Sequence, residues 1–156
     1  MEDDPAKVTE LLTFLRSHNS AVLATVRNGS TPHATTIYFY VEDDLNFYFL
    51  TKNETAKFDN IKKNINVALV VSDTQTLQTV QLEGTAQEVD YTKTYASTMN
   101  KLLSIIAKNG EEWEKIPLNH VENSGYFVFV QIKPTWLRFS DYKNWQHTTK
   151  FEKRFS

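Results

Sequence analysis

Hydrophobic positions along the chain change period several times, and each change marks an element. Val8, Leu11, Leu12 and Leu15 recur at helical spacing. Asp4 and Pro5 precede them, a carboxylate that can cap free N–H groups and a residue tolerated in the first turn. Together they predict an amphipathic helix over about 5–17. From Ala21 the pattern becomes β: AVLATV, the turn RNGS, then TPHATTIYFYV from residue 31. Asn28-Gly29 fits a type I′ hairpin turn, which needs positive φ. Asp43-Asp44 turns the chain into LNFYFLT, TAKFDNIKKN reads as a short helix, and NVALVVS is a further strand. Residues 77–89 alternate as one long strand in which Gly84 marks a bend or bulge. Tyr91, Tyr95, Met99, Leu102, Leu103 and Ile106 give one face of a second long helix, capped by Asp90 and ended at Gly110. A polar loop over 111–124 follows, then the strands YFVFVQI and, after Pro134, TWLRFSDY. The tail to Ser156 has no clear pattern. The order predicts a mainly β protein with helices (α+β), an antiparallel meander closed as a barrel so that strand edges are covered.

Length and composition narrow the chemistry. A chain of 156 residues, 40% hydrophobic, can bury one core, so 1–156 is expected to be one domain. No apolar run approaches the roughly 20 residues of a membrane span, and MEDDPAK is unlike a secretory signal, which predicts a cytoplasmic protein without membrane association. The absence of cysteine removes disulfides, thiolate metal sites and thiol nucleophiles. A net charge of -2 argues against nucleic acid as partner. Between 51 and 63, however, Lys52, Lys57, Lys62 and Lys63 face only Glu54 and Asp59. This locally positive stretch suits a small phosphorylated ligand.

Thr51, Lys52, Thr55 and Lys57 fall where a strand hands over to a helix, so hydroxyls, ammonium groups and helix N–H groups can meet one anion there. Taken alone, the same pattern also fits solvated lysines beside capping threonines. His18, His33, His120 and His147 show no metal-ligand spacing, and no metal site is expected. Asp43-Asp44 and Glu111-Glu112 lie in turns or loops, where solvated faces are the rule. The chain has 4 glycines and neither a Gly-rich phosphate loop, GxGxxG nor a Ser-His-Asp order, so Rossmann and hydrolase readings fail. The catalytic residues, if any, are not legible.

The succession AVLATVRNGSTPHATTIYFYVEDDLNFYFLTKNETAKFDNIKKNINVALVV resembles the N-terminal half of the pyridoxamine 5′-phosphate oxidase-like, FMN-binding split-barrel family, and the chain stays compatible with it to about residue 141. The resemblance implies a split β-barrel, FMN as cofactor, and a homodimer with the cofactor at the subunit interface. It places Thr35, Thr36, Ile37 and Tyr38 along the isoalloxazine ring, Leu50 and Thr51 beside the ring and ribityl chain, and Lys52, Thr55 and Lys57 on the phosphate. Thr79 stands where relatives often carry a ring-contacting Gln, and Trp136 and Arg138 are candidates to reach a partner's site. Asn60 is expected to stabilise the local turn. The implied activity is that of an FMN-dependent oxidoreductase acting with a nicotinamide or small organic substrate, though not the vitamin B6 enzyme itself. The alternative is a binding or carrier module for FMN, a related flavin or haem.

Overall fold

The computed structural model describes residues 3–90, 94–109 and 125–156. Helix α1 (Pro5–Arg16) opens on Asp4, whose carboxylate accepts the N–H of Ala6 at 3.0 Å, and it buries Leu11, Phe14 and Leu15. Strands β1 (Ser20–Arg27) and β2 (Thr31–Tyr38) form the expected hairpin, with Asn28 at φ 51° and Gly29 at φ 82°, as the turn requires. Past Phe39, β2 runs on as the short β3 (Tyr40–Val41). Then come β4 (Phe47–Lys52), α2 (Ala56–Lys63), β5 (Asn66–Asp73), β6 (Gln78–Glu88), α3 (Ala96–Asn109), β7 (Phe127–Asp141) and β8 (Thr148–Arg154).

All pairings are antiparallel, in the order β2-β1-β5-β6-β7-β4-β3, with β8 beside β7. Because β3 is the continuation of β2, the sheet curls round until its two ends belong to one stretch of chain, a split barrel. β3 and β4 pair only at Tyr40–Tyr48 and Val41–Phe47, and beyond that the ladder of β2 runs on β1 alone. The wall is therefore open between β2 and the end of β4.

Alternation along the strands sorts residues to the two faces. Val67, Leu69 and Val71 of β5 and Val80 and Leu82 of β6 join Leu23, Phe39, Phe47, Phe49 and Leu137 inside. A second cluster lies outside the wall, where Met99, Leu102 and Ile106 of α3 cover Tyr48 and Phe129. The α3 face read from the sequence is thus the packed one, but the helix begins at Ala96, well past Asp90. Tyr91, Gly110 and the polar loop lie outside the described residues.

Two features depart from the sequence pattern. TWLRFSDY is not a separate strand, because β7 runs unbroken through Pro134. Pro134 stands opposite Gly84, where the β6–β7 register shifts, so the missing N–H falls at an irregularity of the ladder. Gly84 is obligatory there, since a Cβ would come 2.4 Å from the carbonyl oxygen of Lys133. The second departure is β8, in the patternless tail. It lies along the second half of β7 and buries only Phe151, which leaves no alternation to read.

Candidate functional site

The strongest chemistry sits where β4 passes into α2. Alternation directs Thr51 inward, where it is buried, and leaves Lys52 exposed. The chain then turns through Asn53, whose side chain donates to the carbonyl oxygen of Gly125 at 2.8 Å and whose N–H donates to that of Tyr126 at 2.9 Å. Thr55 holds the N-cap position of α2 in extended conformation but makes no side-chain cap. Its hydroxyl instead donates to the carbonyl oxygen of Lys52 at 3.0 Å. The Thr55 side chain thus caps none of the first N–H groups of α2.

Because Thr55 spends its proton on Lys52, the 3.0 Å contact between the Thr51 and Thr55 hydroxyls has Thr51 as donor. The Lys57 ammonium completes the group, donating to the Thr51 hydroxyl at 3.5 Å. Burial pushes its pKa below the ordinary lysine value. No carboxylate pairs with Lys57 among the described residues. A half-buried ammonium, two hydroxyls and an uncapped helix start form a clasp with the chemistry of an anion site, and among the described residues no carboxylate balances it. Lys52 is not part of this group, since its ammonium lies over the Tyr126 ring, 5.4 Å from the centroid.

Asn60 anchors the clasp from behind. It is buried, and its amide donates to the Thr25 hydroxyl on β1 at 3.0 Å. Its role is therefore a link between α2 and the barrel, as well as the local bond in which its carbonyl oxygen accepts the Asn64 N–H at 2.8 Å. No signal in the sequence marks that long-range pairing.

On the open edge, Ile37 is buried in the core, Thr36 is exposed, and Thr35 and Tyr38 are half-buried. Leu50 and Tyr38 pack on the margin of the α3 cluster. These residues flank the gap beside the clasp.

Thr79, Trp136 and Arg138 form a second group on the outer face of β6 and β7. Thr79 donates to the carbonyl oxygen of Val71 at 3.2 Å. Arg138 donates to Gln81 at 3.0 Å and lies over the Trp136 ring, while the Trp136 indole donates to Glu152 at 2.8 Å. The Arg138 Nε is buried without a partner. Gln81 lies on the same face as Thr79, as alternation predicts, and Glu152 and the His147–Ser140 contact at 3.0 Å extend the group further. Thr51 pairs with Val128, and residues 128 and 138 of β7 are roughly 30 Å apart along the strand. The two groups do not meet within one chain.

Residues 8–141 match the family model described as pyridoxamine 5′-phosphate oxidase. The chain belongs to that family. No curated protein matches it. Among solved structures, a putative pyridoxamine 5′-phosphate oxidase from Listeria innocua is 22% identical with TM-score 0.66, over 85% of this chain and 96% of that one. A pyridoxamine 5′-phosphate oxidase-related, FMN-binding protein from Nostoc punctiforme is 15% identical with TM-score 0.66, covering 96% and 89%. A heme-binding protein from Mycobacterium smegmatis is 16% identical with TM-score 0.70, covering 96% of this chain and 60% of that one. These likenesses bear out the split barrel, a fold shared by proteins named for different cofactors.

Three grooves on the surface lie elsewhere: two on the outer sheet face, of about 400 and 370 Å³, and one of about 460 Å³ between α1, β3 and α3. None of them is lined by Thr51, Thr55 or Lys57, so the clasp stands on its chemistry.

Among the described residues no helix is long and apolar enough to cross a membrane, and no cluster of metal-ligating side chains occurs.

Proposed function

We propose that the protein binds FMN, with the phosphate in the clasp of Thr51, Thr55 and Lys57 and the ring along Thr35–Tyr38 and Leu50, and that it serves as an FMN-dependent oxidoreductase. The observation that carries this reading is the half-buried Lys57 ammonium, which lies 3.5 Å from the Thr51 hydroxyl beside an uncapped helix start and has no carboxylate partner among the described residues. The FMN-binding Nostoc relative supports it. Bound flavin supplies the redox chemistry, and the protein's part is to bind, orient and exclude water. The open edge of β2 offers backbone groups to the ring, and Thr36 is the exposed side chain beside them. A nicotinamide or small organic molecule is the expected redox partner.

The same reading includes a homodimer. The Thr79–Arg138 group is too far from the clasp to share its ligand within one chain, and a two-fold partner is the economical way to bring it there. The outer face of β1, β5, β6 and β7 suits such a contact. Val22 is 44% exposed there, Ala24, Ala68 and Val70 flank it, and Glu83, Arg138 and Glu152 supply charges of both signs.

A carrier of haem is the second reading, favoured by the heme-binding Mycobacterium neighbour. The clasp offers hydroxyls and an ammonium, which suit a phosphate better than an iron, whose usual axial ligands are His, Cys, Met or Tyr.

The visible spectrum of the purified protein, with and without added FMN, tests both. Twin flavin bands are expected, a Soret band would point to haem, and a colourless protein indifferent to FMN would end the flavin proposal. Reduction of the bound flavin by NADH or NADPH separates enzyme from carrier.

A further inference from the structure

Away from the clasp, a cleft of about 460 Å³ opens between the end of α1, β3 and α3. Ile105 and the Tyr40 ring, both half-buried, give it an apolar lining, with the core residues Leu15, Phe39 and Val41 packed beneath them. Every charged side chain on its lining is basic: Arg16, Lys101 and the ionisable His18. Their acidic partners lie outside it. Asp43 takes Arg16 at 2.7 Å, Glu42 takes Lys101 at 3.6 Å, and Asp73 takes His18 at 3.1 Å. The Arg16–Asp43 pair is a surface one, with Asp43 86% exposed, so water weakens it.

The cations are also fixed in place. Arg16 donates through Nε and Nη2 to the carbonyl oxygen of Val41, at 3.2 and 3.0 Å. The Tyr40 ring stands between the two cations, 5.6 Å from the Arg16 guanidinium and 5.1 Å from the Lys101 ammonium. A hydrogen bond with Tyr40 holds the Lys101 pKa above its ordinary value. The His18 ring is held by Nδ1 at 2.7 Å from the Phe14 carbonyl oxygen and Nε2 on Asp73. Ser104 and Asn100 add neutral polar groups at the mouth.

From this apolar lining beneath a basic rim, we propose that the cleft binds a small amphipathic carboxylate, its apolar body on Ile105 and the Tyr40 ring and its carboxylate at Lys101 and Arg16. The volume is that of an ordinary small-molecule site, and the division into apolar wall and few polar groups is how such sites orient a ligand. The site shares no residue with the clasp, so it stands or falls apart from the flavin reading.

The test uses the full chain, labelled with ¹⁵N, titrated with decanoate and separately with decan-1-ol. Decanoate should shift the amides of residues 15–18, 39–41 and 100–105, and should bind at least tenfold more tightly than the alcohol. Lys101→Glu, on the exposed side of α3, should weaken decanoate at least tenfold while the remaining spectrum stays folded, and Lys101→Arg should restore it. Equal binding of acid and alcohol, shifts confined to the outer sheet face, or no saturable shift would each overturn the proposal.

Discussion

The Asn60 amide lies 3.0 Å from the Thr25 hydroxyl, inside the end of the barrel, and ties α2 to β1. Asn60→Ala would strand the buried hydroxyl and free the helix that carries Lys57. A loss of about 1–3 kcal/mol is expected, the usual cost of a buried polar group left unpaired. Urea unfolding measures it. Asn60→Asp keeps the size but removes the donor, and should lose as much or more.

Lys57→Ala should weaken FMN binding by about 1.5–3 kcal/mol, the scale of a charge-assisted contact, with the fold retained. Quenching of flavin fluorescence reads the affinity. Unchanged binding would place the phosphate elsewhere.

The same ammonium should give a pH signature. Burial lowers its folded pKa below the ordinary 10.5. Between the lowered value and 10.5 the unfolded chain holds more protons than the folded one, so Lys57 makes ligand-free stability rise with pH in that window. Phosphate binding needs the proton, so FMN affinity should fall as pH climbs through the lowered value. Lys57→Met should flatten both dependences, which thermal melts and binding titrations over alkaline pH would reveal.

Gly84→Ala would put a methyl group 2.4 Å from the Lys133 carbonyl oxygen, a backbone atom paired into the sheet. Destabilisation of about 1–3 kcal/mol or more is expected from such overpacking. An unfolding midpoint unchanged from the parent would show that the bulge yields at no cost.

Val22→Arg would set a like charge against its own copy across a two-fold contact on the outer sheet face. The expected result is a monomer by sedimentation with much reduced FMN affinity. A dimer that survives the change would move the interface to another face.

The elements from Pro5 to Glu88 were legible because their periods are clean: Val67, Leu69 and Val71 alternate, and Asn28-Gly29 demands one turn type. Thr51, Thr55 and Lys57 were legible as candidates from their place at a strand–helix junction, and the structure does bring them together. Lys52, nearest in sequence, faces Tyr126 because a strand sends consecutive side chains to opposite faces. The continuity of β7 was hidden by Pro134, which normally breaks a strand and is tolerated here because it falls opposite Gly84, where the β6–β7 register shifts. β8 was hidden because an edge strand with one buried residue leaves no periodic trace. Asn60–Thr25 joins positions 35 residues apart, and neither residue type announces such a partner.

β7 also sets the order in which the molecule can assemble. Its first half is the long-range neighbour of β4, and its second half holds β8, while β6 runs along its other edge throughout. Until residues 127–141 arrive, β4 is held to the sheet by two residues of β3 alone. Bridging strands this distant in sequence is slow, because the loop must close before any contact rewards it. The strand that leads into the clasp therefore reaches its full pairing only once β7 has docked, whereas α2 is tied to β1 through Asn60 without it.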